Sequence, residues 1–213
     1  MLVIPERNLL VIQPPRTGST SLKVALLERY PKAKSLFRHM ERGGIPEAYR
    51  DYDVACVIRH PLARLHSLWR YMRIQRPEDH SDKNWAIRVA KDSSRPFADW
   101  LRHSREPFTT RPRSDIANPG YYDVLDEAPA PRKSLRAWAR PDLGPVEILK
   151  LENIEAIENR LDVKLPHLNA ATPIEMATMD RAAKDVIETY HHWDLEHYAS
   201  MPASTGAALE TLT

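Results

Sequence analysis

The chain has 213 residues, 42% of them hydrophobic and 28% charged, enough to enclose one sizeable core, which points to a single domain over 1–200 with a fraying tail at 201–213. Its 31 basic and 29 acidic residues leave a formal charge of +2, which argues against whole-protein attraction to nucleic acid. A lone cysteine, Cys56, excludes a disulfide framework, the usual zinc spacings are missing, and neither a signal peptide nor a membrane span is legible, so the expected location is the cytoplasm.

In chain order, the continuous apolar run Leu9-Leu10-Val11-Ile12 predicts a strand over 8–13 that is buried on both faces of a parallel sheet. The next segment has Leu22, Leu26 and Tyr30 at helical spacing, with Val24, Ala25 and Leu27 widening the stripe until Pro31 ends it. A weaker strand is expected over 33–39 and a clearer one over 53–58, where Cys56 reads as buried packing. A helix over 61–75 follows, opened by Pro61 and carrying Leu62, Leu65, Trp69 and Met72 on one face. Prolines then break 76–145 into pieces, with helical stretches at 84–91 and 95–105 and a short helix near 132–139 among long loops. Regularity returns with a strand at 146–151 and a helix over 152–161 marked by Ile154, Ile157 and Leu161. Thr172-Pro173-Ile174-Glu175 has the form of a capping box that opens the last helical region, where Ala183, Ile187, Tyr190 and Asp194 keep helical spacing. Alternating strands and helices imply an α/β domain with a central parallel sheet flanked by helices.

Two of the strand ends carry chemistry. The first strand runs into Pro14-Pro15-Arg16-Thr17-Gly18-Ser19-Thr20-Ser21, and the 53–58 strand into Arg59-His60-Pro61, with Ser67 eight positions after Arg59. At the first turn, Gly18 permits close backbone approach, the N–H groups of Ser19, Thr20 and Ser21 begin a helix, and Arg16 adds a fixed charge, a combination suited to phosphate. The competing reading is an ordinary cap in which Thr17 or Ser19 satisfies those N–H groups. A Walker A loop needs a second glycine and a lysine that this segment lacks.

The first segment resembles the 5′-phosphosulfate loop of sulfotransferases that use 3′-phosphoadenosine 5′-phosphosulfate (PAPS), with Arg16 where many members have lysine. The stretch from Arg59 to Ser67 is similar to the signature with which that family holds the ribose 3′-phosphate. Leu149-Lys150-Leu151-Glu152-Asn153-Ile154 resembles its strand ending in Glu-Asp/Asn-Leu, and the segment from Tyr190 to Tyr198 its C-terminal Tyr-x-x-Asp helix. His167-Leu168-Asn169-Ala170 is similar to a cofactor-side loop of the carbohydrate-directed branch, and the Arg-Lys-Gly motif of the small-molecule branch is absent. The resemblance implies a P-loop-like fold, PAPS as co-substrate without a metal, and a small-molecule or carbohydrate acceptor with neither nucleic acid nor membrane as partner. Its cofactor residues are Arg16, Thr17, Gly18, Ser19, Thr20, Ser21, Arg59 and Ser67.

Sulfuryl transfer also needs a base and a positive charge at the leaving oxygen. Arg16 supplies the charge, and His39, after the weaker strand, is the expected base, with Glu41 the alternative. Trp85, Trp100, Tyr121 and Tyr122 are candidate stacking surfaces, and Arg102, Arg105, Arg111 and Arg113 a basic stretch near the acceptor or simply a solvated face. Two other classes compete: a P-loop kinase-like phosphotransferase using ATP and Mg²⁺, which requires a metal carboxylate, and a non-catalytic nucleotide-binding module.

Overall fold

The computed structural model describes residues 1–36, 39–74, 95–103, 135–166 and 181–200. Five strands form one mixed sheet: β1 (Leu2–Ile4), β2 (Leu9–Ile12), β3 (Lys34–Ser35), β4 (Asp53–Ile58) and β5 (Glu147–Lys150), in the order β3-β1-β2-β4-β5. β2, β4 and β5 are mutually parallel, with Leu10 opposite Val54 and Ile58 opposite Lys150. β1 runs antiparallel to both β2 and β3, which corrects the expectation of a wholly parallel sheet. Leu2-Val3-Ile4 is a buried apolar run, too short to show periodicity, and Pro5–Arg7 folds it back through a 3₁₀ turn closed by the left-handed Asn8.

Side chains along the strands alternate between two cores, as a period of two requires. Leu2, Ile4, Leu9, Val11, Ala55, Val57 and Leu149 face one side, where they meet Leu22, Ala25 and Leu26 of α1 (Ser19–Arg29) and Ile157 and Leu161 of the helix Ile154–Leu161. Val3, Leu10, Ile12, Cys56, Ile58 and Ile148 face the other, against Met40 and against Leu135 and Ala139 of the helix Leu135–Ala139. In chain order the helices are α1, α2 (Pro61–Ile74), α3 (Phe97–His103), α4 (Leu135–Ala139), α5 (Ile154–Leu161) and α6 (Arg181–Ser200). A third cluster joins Leu62, Leu65 and Leu68 of α2, Trp100 and Leu101 of α3 and Ile187 of α6.

The stripe on α1 is narrower than its sequence suggests. Val24 and Leu27, expected to widen it, are 45% and 37% exposed, because α1 packs on a single sheet face and its outer surface meets solvent. The weak strand expected over 33–39 shrinks to Lys34–Ser35 at the sheet edge, both exposed. α5 starts two residues later than expected, where the Asn153 side chain caps it by accepting the Ala156 N–H at 3.1 Å. α6 is broken by a non-helical residue, His191. The helix expected at 84–91, the capping box at 172–175, the 167–170 loop and the tail at 201–213 lie outside the described residues. Among the described residues, no helix is long and apolar enough to cross a membrane.

Candidate functional site

The site lies where β2 and β4 end side by side. After Ile12 the chain uses Gln13 to Gly18 to reach α1, with Arg16 and Gly18 both at positive φ (69° and 75°). Arginine in that region stores strain on the order of 1–3 kcal/mol, a cost that recurs where ligands are held. Thr17 Oγ1 donates to the Pro14 carbonyl at 2.7 Å, so that hydroxyl closes the loop and its backbone N–H is what it can offer a ligand. Glycine at 18 is required by its positive φ, and a Cβ there would also press on Leu151 Cδ1 at 2.8 Å, forcing that side chain to shift. No side chain caps α1 and no acidic residue occupies its first turn, so the capping alternative fails. The N–H groups of Ser19, Thr20 and Ser21 therefore present the positive end of the helix at the sheet edge.

The second turn is built differently. His60 opens α2 by accepting the Arg64 N–H at 2.9 Å, but its own N–H donates to Glu152 Oε1 at 2.9 Å. A carboxylate already stands at the start of this helix, so side chains are what this turn can offer a ligand. Those side chains converge: Arg16 Nε donates to Ser67 Oγ at 3.2 Å, and Arg59 Nη1 reaches the Arg16 carbonyl at 3.5 Å. The Arg16 guanidinium also lies over the Tyr71 ring, 4.8 Å from its centroid. Ser67 itself is buried, at 3% exposure.

Burial lowers the pKa of both arginines; Tyr71 partly offsets this at Arg16 while Arg59 adds to it, and Glu152 and then Tyr198 offset it at Arg59. Arginine stays protonated nonetheless. Two partly desolvated guanidiniums sit together, and among the described residues no ion pair engages either one. That arrangement favours a multiply charged anion.

His39 is buried (5% exposed), and its Nδ1 bonds to the Gln13 carbonyl at 3.0 Å. A carbonyl only accepts, so the ring proton is on Nδ1 and Nε2 is the basic nitrogen. The loop after β3, rather than a central strand, delivers this histidine beside the first turn. Glu41 precedes the 3₁₀ turn Arg42–Gly44, and its charge falls on Arg140. Arg42 donates to the carbonyls of Arg140, Gly144 and Pro145 and so fixes the chain leading into β5.

Sequence reasoning passed over Gln13. Its Nε2 is buried without an acceptor among the described residues, at the head of the first turn. Such a donor costs about 1–3 kcal/mol unless something accepts from it, and the only advance signal was a polar residue ending an apolar strand. Trp100 is fully buried in the third cluster, which removes it as a stacking surface. Trp85, Tyr121, Tyr122, Arg105, Arg111 and Arg113, and the side chain of Arg102, lie outside the described residues. Burial pushes the Cys56 thiol up to about 12, so it is packing rather than a nucleophile. No protein-family model, no curated protein and no solved structure matches this chain.

Proposed function

We propose that this chain is a PAPS-dependent sulfotransferase of P-loop-like fold that moves a sulfuryl group to a hydroxyl or amine acceptor, with a carbohydrate as the favoured acceptor class. The observation that carries the reading is the meeting of Arg16, Arg59 and Ser67 at the carboxyl ends of two parallel strands. A 3′,5′-bisphosphorylated nucleotide has an anion for each turn: the 5′ group on the uncapped start of α1 and the 3′-phosphate on Arg59 and Ser67.

In this reading the acceptor oxygen attacks sulfur as the bond from sulfur to the bridging phosphate oxygen breaks. The acceptor proton passes to His39 Nε2, and the charge left on the 5′-phosphate is stabilised by Arg16 and the α1 N–H groups. Nδ1 donation to the Gln13 carbonyl leaves Nε2 as the accepting nitrogen, which supports His39 over Glu41. The kinase-like alternative has less support. Asp53, the carboxylate weighed for a metal, is exposed at the amino end of β4, roughly 20 Å of strand away from Arg59.

The deciding measurement is thermal stabilisation by adenosine 3′,5′-bisphosphate, AMP, and ATP with Mg²⁺, since a ligand that binds only the folded chain raises its melting temperature. The bisphosphate should stabilise without metal and well beyond AMP, and Arg59→Ala should erase the difference. Stronger stabilisation by ATP with Mg²⁺ would overturn the sulfotransferase reading.

A further inference from the structure

Behind Arg59, three elements meet on one carboxylate. β4 and β5 end in register, and the Leu151 N–H donates to the Ile58 carbonyl at 2.7 Å, so the segments Arg59-His60 and Leu151-Glu152 leave the sheet side by side. Glu152 Oε1 takes the His60 N–H. From the last turns of α6, Tyr198 packs edge-on against the His60 ring (centroids 5.1 Å apart, planes at 81°) and carries the Lys150 ammonium 4.5 Å above its own ring. Burial and the nearby Glu152 carboxylate both keep the Tyr198 phenol protonated.

The group that Glu152 holds is the peptide N–H immediately after Arg59. Rotation of that peptide would swing the Arg59 side chain as a whole, and a guanidinium that binds phosphate through two N–H groups tolerates little displacement. The same carboxylate occupies the positive end of α2, which keeps an anion off the helix and places it on Arg59 and Ser67.

We propose that Glu152 and Tyr198 are positioning residues that aim Arg59, and that they set how strongly the site prefers a nucleotide bearing a 3′-phosphate over one without it. The proposal rests on the nucleotide reading above and adds a specificity role for two residues on β5 and α6 that contact no ligand.

Calorimetric affinities for adenosine 3′,5′-bisphosphate and AMP, measured on the full chain and its variants, provide the test. Tyr198→Leu, which removes the ring packed on His60, should lower the bisphosphate-to-AMP preference about threefold to tenfold, the size expected for an aromatic pair, and leave AMP affinity unchanged. Glu152→Ala should lower it at least as far, and Glu152→Gln, which keeps an acceptor for the His60 N–H, should restore most of it. Equal losses for both nucleotides would mean that the pair is merely structural. A preference unchanged in Tyr198→Leu and Glu152→Ala but lost in Arg59→Ala would overturn the positioning role and leave the functional reading standing. A wild-type chain without the preference would overturn both.

Discussion

The two strand-to-helix turns look alike in sequence and are built on opposite principles. At the first, the helix start is bare: glycine opens α1, no side chain caps it and no acidic residue occupies its first turn, so in the proposed reading the backbone itself binds. At the second, Glu152 fills the helix start, and in the proposed reading recognition passes to the half-buried Arg59 and the buried Ser67, held from behind by distant parts of the chain. A backbone site reads any suitably placed phosphate, whereas a site made of oriented side chains discriminates. In the proposed reaction the first turn handles the reacting group and the second chooses the nucleotide.

The sharpest way to separate the two is His39, which is anchored to the first turn through Gln13. His39→Ala should lower kcat by roughly 10²–10⁴-fold while nucleotide affinity is retained. The acidic limb of the pH–rate profile should vanish with it. Glu41→Gln should leave turnover near wild type, and the reverse pattern would move the base to the carboxylate.

Asp194 tests the framework that positions α6 behind the second turn. Its buried carboxylate accepts the N–H groups of Leu135 (2.8 Å) and Arg136 (3.2 Å) at the start of α4 and pairs with His191 at the kink of α6, which lies seven residues before Tyr198. Asp194→Ala should cost about 3–5 kcal/mol, because buried donors and an imidazole lose their partner. Chemical denaturation measures this, and a loss below about 1 kcal/mol would show that the anchoring is dispensable.

Gly18 tests the first turn. Gly18→Ala puts a Cβ against Leu151 at a strained φ, and the expected loss is about 1–3 kcal/mol, with weaker binding of both bisphosphate and AMP. Selective loss of the bisphosphate would contradict the division of labour between the turns.

The smallest effect is a pH response confined to the second turn. Burial holds His60 and His66 below the usual 6.5, opposed at His60 by Glu152 and reinforced at His66 by Arg70 and then Arg59. The unfolded chain therefore binds more protons than the folded one just below that value, so this contribution to stability is complete above pH 6.5 and is lost as the pH falls through it. Melting temperatures of a His60→Gln/His66→Gln variant should decline less on acidification than those of wild type. Identical slopes would remove both histidines from the account.

What was legible in the sequence is what is local. The apolar runs ending in Arg16 and Arg59 located β2 and β4, and Pro61 and Ser67 placed α2 correctly, because strand and helix periods are written within a dozen residues. β1 was missed, since Leu2-Val3-Ile4 is too short to have a period and its pairing with β2 and β3 turned an expected parallel sheet into a mixed one. The role of Glu152 was invisible for another reason. Its partners His60 and Tyr198 lie 92 residues before it and far along on α6, and no spacing rule connects them. His39 was named as a base, but its anchor on the Gln13 carbonyl is a tertiary contact that no pattern announces.

The two-residue strand β3 has a consequence for how the molecule behaves in a crowded solution. A sheet can recruit another chain wherever an outer strand exposes a long row of unpaired N–H and C=O groups. Lys34–Ser35 offers only a stub, flanked by Pro31 and bearing an exposed ammonium that another strand would have to desolvate. Growth of the sheet past this edge, by self-association or by capture of an unfolded segment, therefore meets both a shortage of pairing groups and a charge at the point of contact.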